Sequence, residues 1–276
     1  MDLIFFDLDG TLLNKSSEIS PLTKETLMLL SDTGIAHTVA TGRTMLSAQR
    51  IIGGYNFSLP HIYSNGVTVW DPNSRTMTLE NILEWNEVST ILSHAHAENV
   101  TPFVHSVEEQ NDREVHVIYH STPKYAIEND LLENYYAQTD AMLLPLSSLP
   151  TQARITNVSM IGDEKITHKI WEQLNKQKSL IAYCGPAIEG NGNSWLDVHH
   201  RLANKGSAVQ NLKIQLGASN VICFGDGDND LSMFELADES YAMNNAKDIV
   251  KQSATDVIGH HHEDGVAHFL RERFSL

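Results

Sequence analysis

A short apolar run near the start of the chain ends in two carboxylates, in Leu3-Ile4-Phe5-Phe6-Asp7-Leu8-Asp9-Gly10. The run has the length and aromatic content of a buried strand, and Gly10 marks where the chain leaves it. Open α/β sheets bind ligands at the carboxyl ends of their strands, and side chains two residues apart on an extended chain point the same way. Because two neighbouring carboxylates resist joint ionisation unless a cation or donors offset the repulsion, Asp7 and Asp9 predict a metal site. An ordinary strand end followed by a turn is the alternative interpretation.

A second acidic strand end lies near the carboxyl terminus. The apolar run 221–224 is followed by Gly225-Asp226-Gly227-Asp228-Asn229-Asp230, which places three aspartates in five residues. Such a group would be repulsive in a compact site, and carboxylate oxygens are the ligands that Mg²⁺ prefers. The preceding apolar strand favours a metal site over an acidic surface turn.

Thr41-Gly42-Arg43 is a candidate phosphate-binding segment between these two strand ends. It follows a strand predicted over 35–40 and precedes a helix predicted to begin near Thr44. A hydroxyl and backbone N–H groups at a helix start form an anion site, although Thr and Gly also open many helices as ordinary caps. Arg43 is equally compatible with a surface ion pair.

Lys205 is the remaining candidate cation, just ahead of a helix predicted to run to about Leu216. A lysine is unfavourable at the positive end of a helix dipole. Its position makes sense if an anion lies between the lysine and the helix.

These four segments, in this order, resemble the signatures of the haloacid dehalogenase superfamily, and of its Cof-type branch in particular. The matching patterns are Asp-x-Asp-Gly-Thr-Leu from Asp7, Thr-Gly-Arg from Thr41, Lys-Gly at Lys205 and Gly-Asp-x-x-Asn-Asp from Gly225. The resemblance implies that Asp7 attacks phosphorus and that Asp9 acts as general acid and base.

The resemblance also implies the ligands of the site. It assigns Mg²⁺ to Asp7, to the backbone carbonyl of Asp9 and to Asp226, with Asp230 supporting the metal from the same loop. It assigns the substrate phosphate to Thr41, the Gly42 amide and Lys205, with Asn229 close by.

The order of predicted elements indicates an α/β fold with a Rossmann-like parallel-sheet core and an inserted α+β cap domain. Strands and helices alternate up to about residue 81 and again after residue 199, which is typical of a parallel sheet. The segment 82–198 has a different, α+β order that resembles a subclass IIB cap. Since Thr41 and Lys205 must meet in one core, we predict a core domain of 1–81 and 199–276 and a cap of 82–198.

Composition narrows the range of partners. The 276 residues carry 19 Lys and Arg against 35 Asp and Glu, a net charge of −16, which argues against nucleic-acid binding. No apolar stretch approaches the roughly 20 residues that span a bilayer, and the apolar start is too short for a signal peptide. Cys184 and Cys223 lie in strand-like runs and predict core thiols rather than a disulfide. We therefore expect a cytoplasmic protein with a small phosphorylated metabolite as its partner, no membrane association and no obligate protein partner.

The fourteen histidines predict no further site. His94 and His96 are two residues apart on a predicted helix and do not share a face. The tract 260–262 is interpreted as a solvated loop before the final helix. His199 and His200 lie near the return from cap to core, where a buried structural role is favoured.

The function predicted from these observations is a Mg²⁺-dependent phosphatase that hydrolyses small phosphate monoesters through an aspartyl-phosphate. Sugar phosphates are the substrates that the resemblance implies first, followed by pyridoxal phosphate and flavin mononucleotide. A phosphomutase on the same scaffold and a non-catalytic phosphate sensor are the alternatives; the acid/base residue Asp9 argues against the sensor. The loop 189–193 is a candidate for substrate specificity, with an ordinary hairpin turn as the other interpretation.

Overall fold

The chain forms two compact units. One unit combines Met1–Glu80 with Asn204–Leu276, and the other is Asn81–Ala203. The computed structural model describes residues 1–55, 57–111, 113–187 and 192–276. Residues 189–191 of the predicted specificity loop lie outside the described residues.

The elements are numbered along the chain. The strands are β1 (Asp2–Phe6), β2 (Ala36–Val39), β3 (His61–Tyr63), β4 (Thr68–Asp71), β5 (Thr76–Leu79), β6 (Phe103–Gln110), β7 (Arg113–His120), β8 (Met142–Pro145), β9 (Arg154–Asp163), β10 (Leu180–Pro186), β11 (Asn193–His200), β12 (Asn220–Gly225), β13 (Glu239–Met243) and β14 (Asp256–Ile258). The helices are α1 (Pro21–Asp32), α2 (Met45–Ile52), α3 (Trp85–Ala97), α4 (Ala126–Asp130), α5 (Glu164–Leu174), α6 (Lys205–Leu216), α7 (Leu231–Leu236), α8 (Asp248–Ser253) and α9 (Gly265–Phe274).

The first unit is built on a parallel sheet in the order β14-β13-β12-β1-β2. The interior strand β1 is buried on both faces, because Ile4 and Phe6 pack into one apolar cluster and Leu3 and Phe5 into another. Burying each of these side chains stabilises the sheet by roughly 1.5–3 kcal/mol. The continuous apolar run that predicted a buried strand is therefore explained by helices covering both faces of a parallel sheet.

A small antiparallel sheet, β3-β4-β5, joins the same unit. Ala40, just after β2, forms an isolated parallel bridge with Ile62 of β3. Strand β3 therefore lies next to β2, at the edge of the main sheet. Strands β4 and β5 form a hairpin with its turn at 72–75.

The second unit contains a six-stranded sheet in the order β10-β11-β9-β6-β7-β8, antiparallel except for the β7–β8 pair. Helices α3 and α5 bury Val88, Ile91 and Ile170 in one apolar cluster together with Val104 and Val158 from the sheet. The parallel-sheet core and the additional antiparallel sheet confirm the predicted fold class.

The second unit ends later than the predicted insertion does. The predicted boundary was residue 198, whereas the unit extends to Ala203. The cause is that β11 continues to His200, which pairs with Leu180, and that the Arg201 amide donates to the Ser179 carbonyl at 2.7 Å. These contacts tie the segment to its own sheet.

Several short elements were not predicted from the sequence. Strands β8 and β14 have four and three residues, and α7 and α8 have six each. Both strands lie at sheet edges and are only three or four residues long, which is too short for a strand pattern to stand out in the sequence. None of the helices in the described ranges is long and apolar enough to cross a membrane.

Candidate active site

Asp7 and Asp226 follow two neighbouring parallel strands. Phe6 of β1 lies opposite Phe224 of β12, and the Asp7 amide donates to the Phe224 carbonyl at 3.0 Å. This register brings both carboxylates to the same edge of the sheet. Each offers an oxygen that lies, together with one from Asp230, in a group whose members are all within 4.8 Å of one another. The two acidic strand ends predicted from the sequence therefore meet.

Lys205 supplies the positive charge at this edge. It is fully buried, as is Asp230, and its Nζ donates to Asp7 Oδ1 and to Asp230 Oδ1, both at 2.6 Å. Lys205 is the first residue of α6, which is capped by the Asn204 side chain accepting from the Ser207 amide. The two carboxylates are the anions that make a lysine tolerable at this helix start.

Asp230 also shapes the loop that carries Asp226. Its Oδ2 accepts from the backbone amides of Asp226 and Gly227, both at 2.9 Å. Its other oxygen accepts from Lys205, so both carboxylate oxygens have partners within the chain. Asp230 thus links the lysine to the loop backbone.

Burial sets the ionisation of the cluster. It raises the pKa of Asp7 well above the usual range of a carboxyl group, although Lys205 opposes the change. Burial, with repulsion from Asp230, raises the pKa of Asp226 to about 7. Burial disfavours the charged form of Lys205, but Asp230 and Asp7 outweigh it and raise the pKa of the ammonium. The lysine is therefore a permanent cation, and the cluster has carboxylate repulsion that a further cation would relieve.

Gly10, Thr11 and Asn245 surround the Asp226 carboxylate. The Asn245 Nδ2 donates to Asp226 Oδ2 at 3.1 Å and to the Gly10 carbonyl at 2.8 Å, and the Thr11 hydroxyl donates to Asp226 Oδ1 at 3.4 Å. Gly10 has a left-handed backbone with φ of 72°, and a Cβ there would lie 2.2 Å from Asp226 Oδ2. Only glycine allows this close approach of the loop to the carboxylate.

Asp9 lies outside the three-carboxylate cluster and pairs with Arg43. The guanidinium donates from Nε to Asp9 Oδ2 and from Nη2 to Oδ1, both at 2.6 Å. The Asp9 side chain is 51% exposed, whereas that of Arg43 is 15% exposed. The surface ion pair considered for Arg43 thus forms with the predicted acid/base residue.

Thr41 and Gly42 follow β2 but do not start the next helix. That helix, α2, begins at Met45 and is capped by the Thr44 hydroxyl, which accepts from the Ser47 amide. The Thr41 amide donates to the Ile62 carbonyl at 3.0 Å, and the Thr41 hydroxyl accepts from the Arg43 amide at 3.1 Å. Thr41 and Gly42 therefore lie in the loop between the end of β2 and the start of α2, as the sequence predicts, and their part in holding an anion stays a prediction.

Asn65 joins this loop to the Asn229 loop and was not predicted as a site residue. Its Oδ1 accepts from Asn229 Nδ2 at 2.9 Å, and its amide donates to the Thr41 carbonyl at 3.0 Å. A Cβ on Gly42 would lie 3.2 Å from Asn65 Oδ1, so this position favours glycine. Asn65 and Asn245 each follow a strand of this unit, β3 and β13, so the strand-end rule applied to every strand would have found them.

The chain belongs to the haloacid dehalogenase-like hydrolases, because the model of that family matches residues 4–270. The curated relatives include a 5-amino-6-(5-phospho-D-ribitylamino)uracil phosphatase of Bacillus subtilis, 28% identical over 99% of this chain and 98% of its own. A pyridoxal phosphate phosphatase of Escherichia coli is 25% identical over 97% of each chain. The solved structure of a subclass IIB sugar phosphatase superposes with a TM-score of 0.77 at 21% identity, covering 100% and 99% of the two chains. The protein is a phosphatase of this family, and the Cof-type resemblance is confirmed.

Proposed function

We propose that this phosphatase is Mg²⁺-dependent and hydrolyses small phosphate monoesters through an aspartyl-phosphate on Asp7. The observation that supports the proposal most is the buried contact of Lys205 with Asp7, beside Asp226 and Asp230. This cluster brings together a nucleophile, metal ligands and a cation that can bind phosphate, which are the parts that phosphoryl transfer needs.

The donor set fits Mg²⁺. The available ligands are hard carboxylate oxygens, and Gly10 leaves room for the Asp226 carboxylate beside the loop that follows Asp7. Asp7, the Asp9 carbonyl and Asp226 would hold the ion, with Asp230 supporting their loop. When bound, Mg²⁺ would offset the repulsion between the Asp7 carboxylate and the anionic phosphate.

The residues then divide the reaction into two displacements. In the first, an Asp7 oxygen forms a bond to phosphorus, the bond to the ester oxygen breaks, and Asp9 donates a proton to the departing alkoxide. In the second, water gives a proton to Asp9 and attacks phosphorus, which releases Asp7 and inorganic phosphate. Because Arg43 occupies both oxygens of Asp9 in this structure, Asp9 must leave this pair to reach the leaving group.

Thr41, the Gly42 amide, Lys205 and Asn229 are proposed to hold the phosphoryl oxygens. Lys205 would exchange part of its contact with Asp7 for the phosphate, which carries the same sign of charge as a carboxylate. Preorganised donors of this kind stabilise the charge that develops during phosphoryl transfer.

The proposed substrates are small phosphate monoesters, with sugar phosphates first. A phosphorylated ribityl compound and pyridoxal phosphate are added to the test panel, since the matched relatives are named for acting on them. The segment 81–203 is proposed to act as a cap that closes over the bound ester and excludes bulk water. We also propose that the protein is cytoplasmic.

Asp7→Asn tests the nucleophile. We expect the variant to fold but to release no phosphate from any ester in a Mg²⁺-supplemented panel, because the amide keeps the shape and the acceptor for Lys205 but cannot attack. Asp228→Asn, in the same loop as Asp226 but exposed and paired with Lys247, is the matched control and should retain activity. Phosphate release by a folded Asp7→Asn enzyme would refute the role of Asp7.

Rapid-quench labelling of Asp9→Asn tests the two steps separately. A substrate whose leaving group needs no protonation should label the variant with phosphate, because only the activation of water is then blocked. A wild-type enzyme that moves phosphate between positions of a sugar without releasing it would instead identify a phosphomutase.

A further inference from the structure

A second cluster of metal-ligating side chains lies in the first unit, in the turn between β14 and α9. His260, His261 and His262 lie against one another with ring centroids 4.9, 4.8 and 3.8 Å apart. One nitrogen from each ring lies within 4.8 Å of the other two. Since zinc–nitrogen bonds are about 2.0–2.1 Å long, three nitrogens around one ion would be roughly 3.3 Å apart. Binding one ion would therefore need side-chain rotations that bring the nitrogens from within 4.8 Å to that spacing.

The tautomer of His261 is fixed by the backbone. Its Nδ1 lies 2.7 Å from the Leu13 carbonyl, which can only accept a hydrogen bond, so Nδ1 carries the proton. The lone pair is therefore on Nε2. A histidine whose second nitrogen donates to a carbonyl is the usual arrangement around a metal, because the contact orients the ring and makes the ligand more basic.

The tract is open to solvent on one side. His260 and His261 are half-buried and His262 is exposed, so an ion could reach the three rings from solvent.

One local contact opposes metal binding. His260 Nδ1 accepts from the His262 amide at 3.1 Å, so the neutral ring carries its proton on Nε2, and a metal ion on either nitrogen would cost this hydrogen bond. A hydrogen bond of this type contributes only about 1 kcal/mol, which is much less than a zinc–imidazole site supplies.

The tract also differs in chemistry from the carboxylate cluster. Imidazole nitrogens suit zinc, copper and nickel, whereas carboxylate oxygens suit magnesium. The two groups are nevertheless connected, because the His261 amide donates to Asn245 Oδ1 at 3.2 Å and Asn245 donates to Asp226. The turn that carries the histidines therefore also holds a neighbour of the candidate active site.

We propose that His260, His261 and His262 form a binding site for one divalent transition-metal ion of the zinc class, separate from the magnesium site. Three imidazoles leave one position of a tetrahedral ion for water. This proposal does not depend on the proposed phosphatase chemistry.

Calorimetry with Zn²⁺ tests the site. The full chain, without an affinity tag and stripped by a chelator, is titrated in excess Mg²⁺, which occupies the carboxylates. We expect one equivalent of Zn²⁺ to bind the wild type, and the affinity to fall at least tenfold in His260→Gln/His262→Gln. The matched control is His94→Gln/His96→Gln on α3, which removes two histidines elsewhere and should leave the affinity unchanged. The proposal is overturned if the wild type binds no Zn²⁺ under these conditions or if the tract variant binds it equally well.

A direct readout identifies the ligands. Two-dimensional ¹H–¹⁵N spectra of the imidazole nitrogens should show Zn²⁺-induced shifts for the three tract residues and none for His94 and His96. If the double variant does not fold, His262→Gln alone, which changes only the exposed ring, should still weaken binding. Shifts confined to histidines outside the tract would refute the assignment.

Discussion

The two units of the protein bury ionisable groups in opposite ways. In the first unit, Asp7, Asp230 and Lys205 are buried together and compensate one another's charge. In the second unit, a polar network on the β6-β9-β11 sheet links His105 to Tyr136 and Ser159, and Ser159 to Asp197. Burial lowers the pKa of His105 to about 3 and raises that of Asp197, so this network favours neutral groups.

This difference separates a reactive site from a scaffold. Charges held in a buried cluster are strongly coupled, so a ligand that changes one of them affects the others. A buried network of neutral groups has hydrogen bonds to satisfy but no charge to balance. We therefore expect the first unit to respond most to the loss of a charge and the second to respond most to the gain of a proton.

The largest effect is expected for Lys205→Met, which leaves Asp7 and Asp230 buried without their cation. Removing one partner of a buried ion pair typically destabilises a protein by about 3–5 kcal/mol, and turnover should be lost as well. Lys213→Met is the matched control on the same helix. Lys213 pairs with Asp238 at a partly exposed position, so its loss should change stability by less than about 1 kcal/mol. Urea denaturation of both variants measures the difference. Equal losses in the two variants would contradict the charge-coupling interpretation.

A pair of aspartate-to-asparagine changes compares the units directly. In Asp230→Asn the new amide nitrogen faces either Lys205 or the amides of Asp226 and Gly227, so we expect a loss of roughly 3 kcal/mol. In Asp197→Asn the amide oxygen can still accept from Ser159 and Asn157, so we expect a loss below about 1.5 kcal/mol.

The free energies of unfolding near neutral pH provide the measurement for this pair. A larger loss in Asp197→Asn than in Asp230→Asn would reverse the comparison between the units. It would indicate that Asp197 carries an essential buried charge in the second unit.

Acid should destabilise the second unit through its buried histidines. Burial lowers the pKa of His199 to about 4 and that of His105 to about 3, below the value of about 6.5 in an unfolded chain. The unfolded state therefore binds more protons than the folded state below pH 6.5, and stability falls as the pH is lowered from 6.5 towards 4. Each histidine contributes up to about 1.4 kcal/mol per pH unit in that range.

The contribution of His199 to the pH dependence of stability is obtained by comparing the wild type with a variant that lacks this histidine. Unfolding of the wild type and of His199→Asn is followed between pH 7 and 4.5, so that groups such as His116 and Asp197, which are present in both proteins, largely cancel. The variant should show a shallower loss of stability with acid. The same slope in both proteins would mean that His199 does not titrate on unfolding.

The fold was predictable where the sequence carries a strong periodic pattern. The buried strand β1 and the strand–helix alternation around it define a parallel sheet, and the family comparison confirms that fold. The edge strands β8 and β14 were not predicted, because their pairing is set by neighbouring strands rather than by their own apolar pattern.

The candidate site was predictable as a set of strand ends but not as a set of contacts. The sequence indicates that Asp7 and Asp226 follow apolar strands, and the parallel register brings them together. It does not indicate that Asn245 reaches Asp226 or that Asn65 reaches Asn229, because these contacts depend on loop conformations set by tertiary packing. The sequence predicts an anion beside Lys205 but does not indicate that the anions are two carboxylates of the chain itself, those of Asp7 and Asp230.

The smallest effect on stability is expected for Arg43→Gln. Asp9 is half exposed, so solvent replaces the lost hydrogen bonds, and the free energy of unfolding should change by less than about 1 kcal/mol. The effect should instead appear in catalysis, because the guanidinium holds both oxygens that Asp9 needs for proton transfer. Without Arg43, the Asp9 carboxylate is no longer held in one orientation. It also no longer has to break an ion pair before it can transfer a proton.

The effect on proton transfer is measured with two substrates, an alkyl phosphate and p-nitrophenyl phosphate. The alkoxide needs a proton as it leaves, whereas p-nitrophenolate does not. Arg43→Gln should change the ratio of kcat/KM for the two esters, whereas Arg50→Gln, on the nearby helix α2, should leave the ratio unchanged. An unchanged ratio in Arg43→Gln would mean that the Arg43–Asp9 pair has no part in positioning the acid. A loss of several kcal/mol in stability would place this pair with the buried charges of Lys205 rather than with the exposed ion pairs.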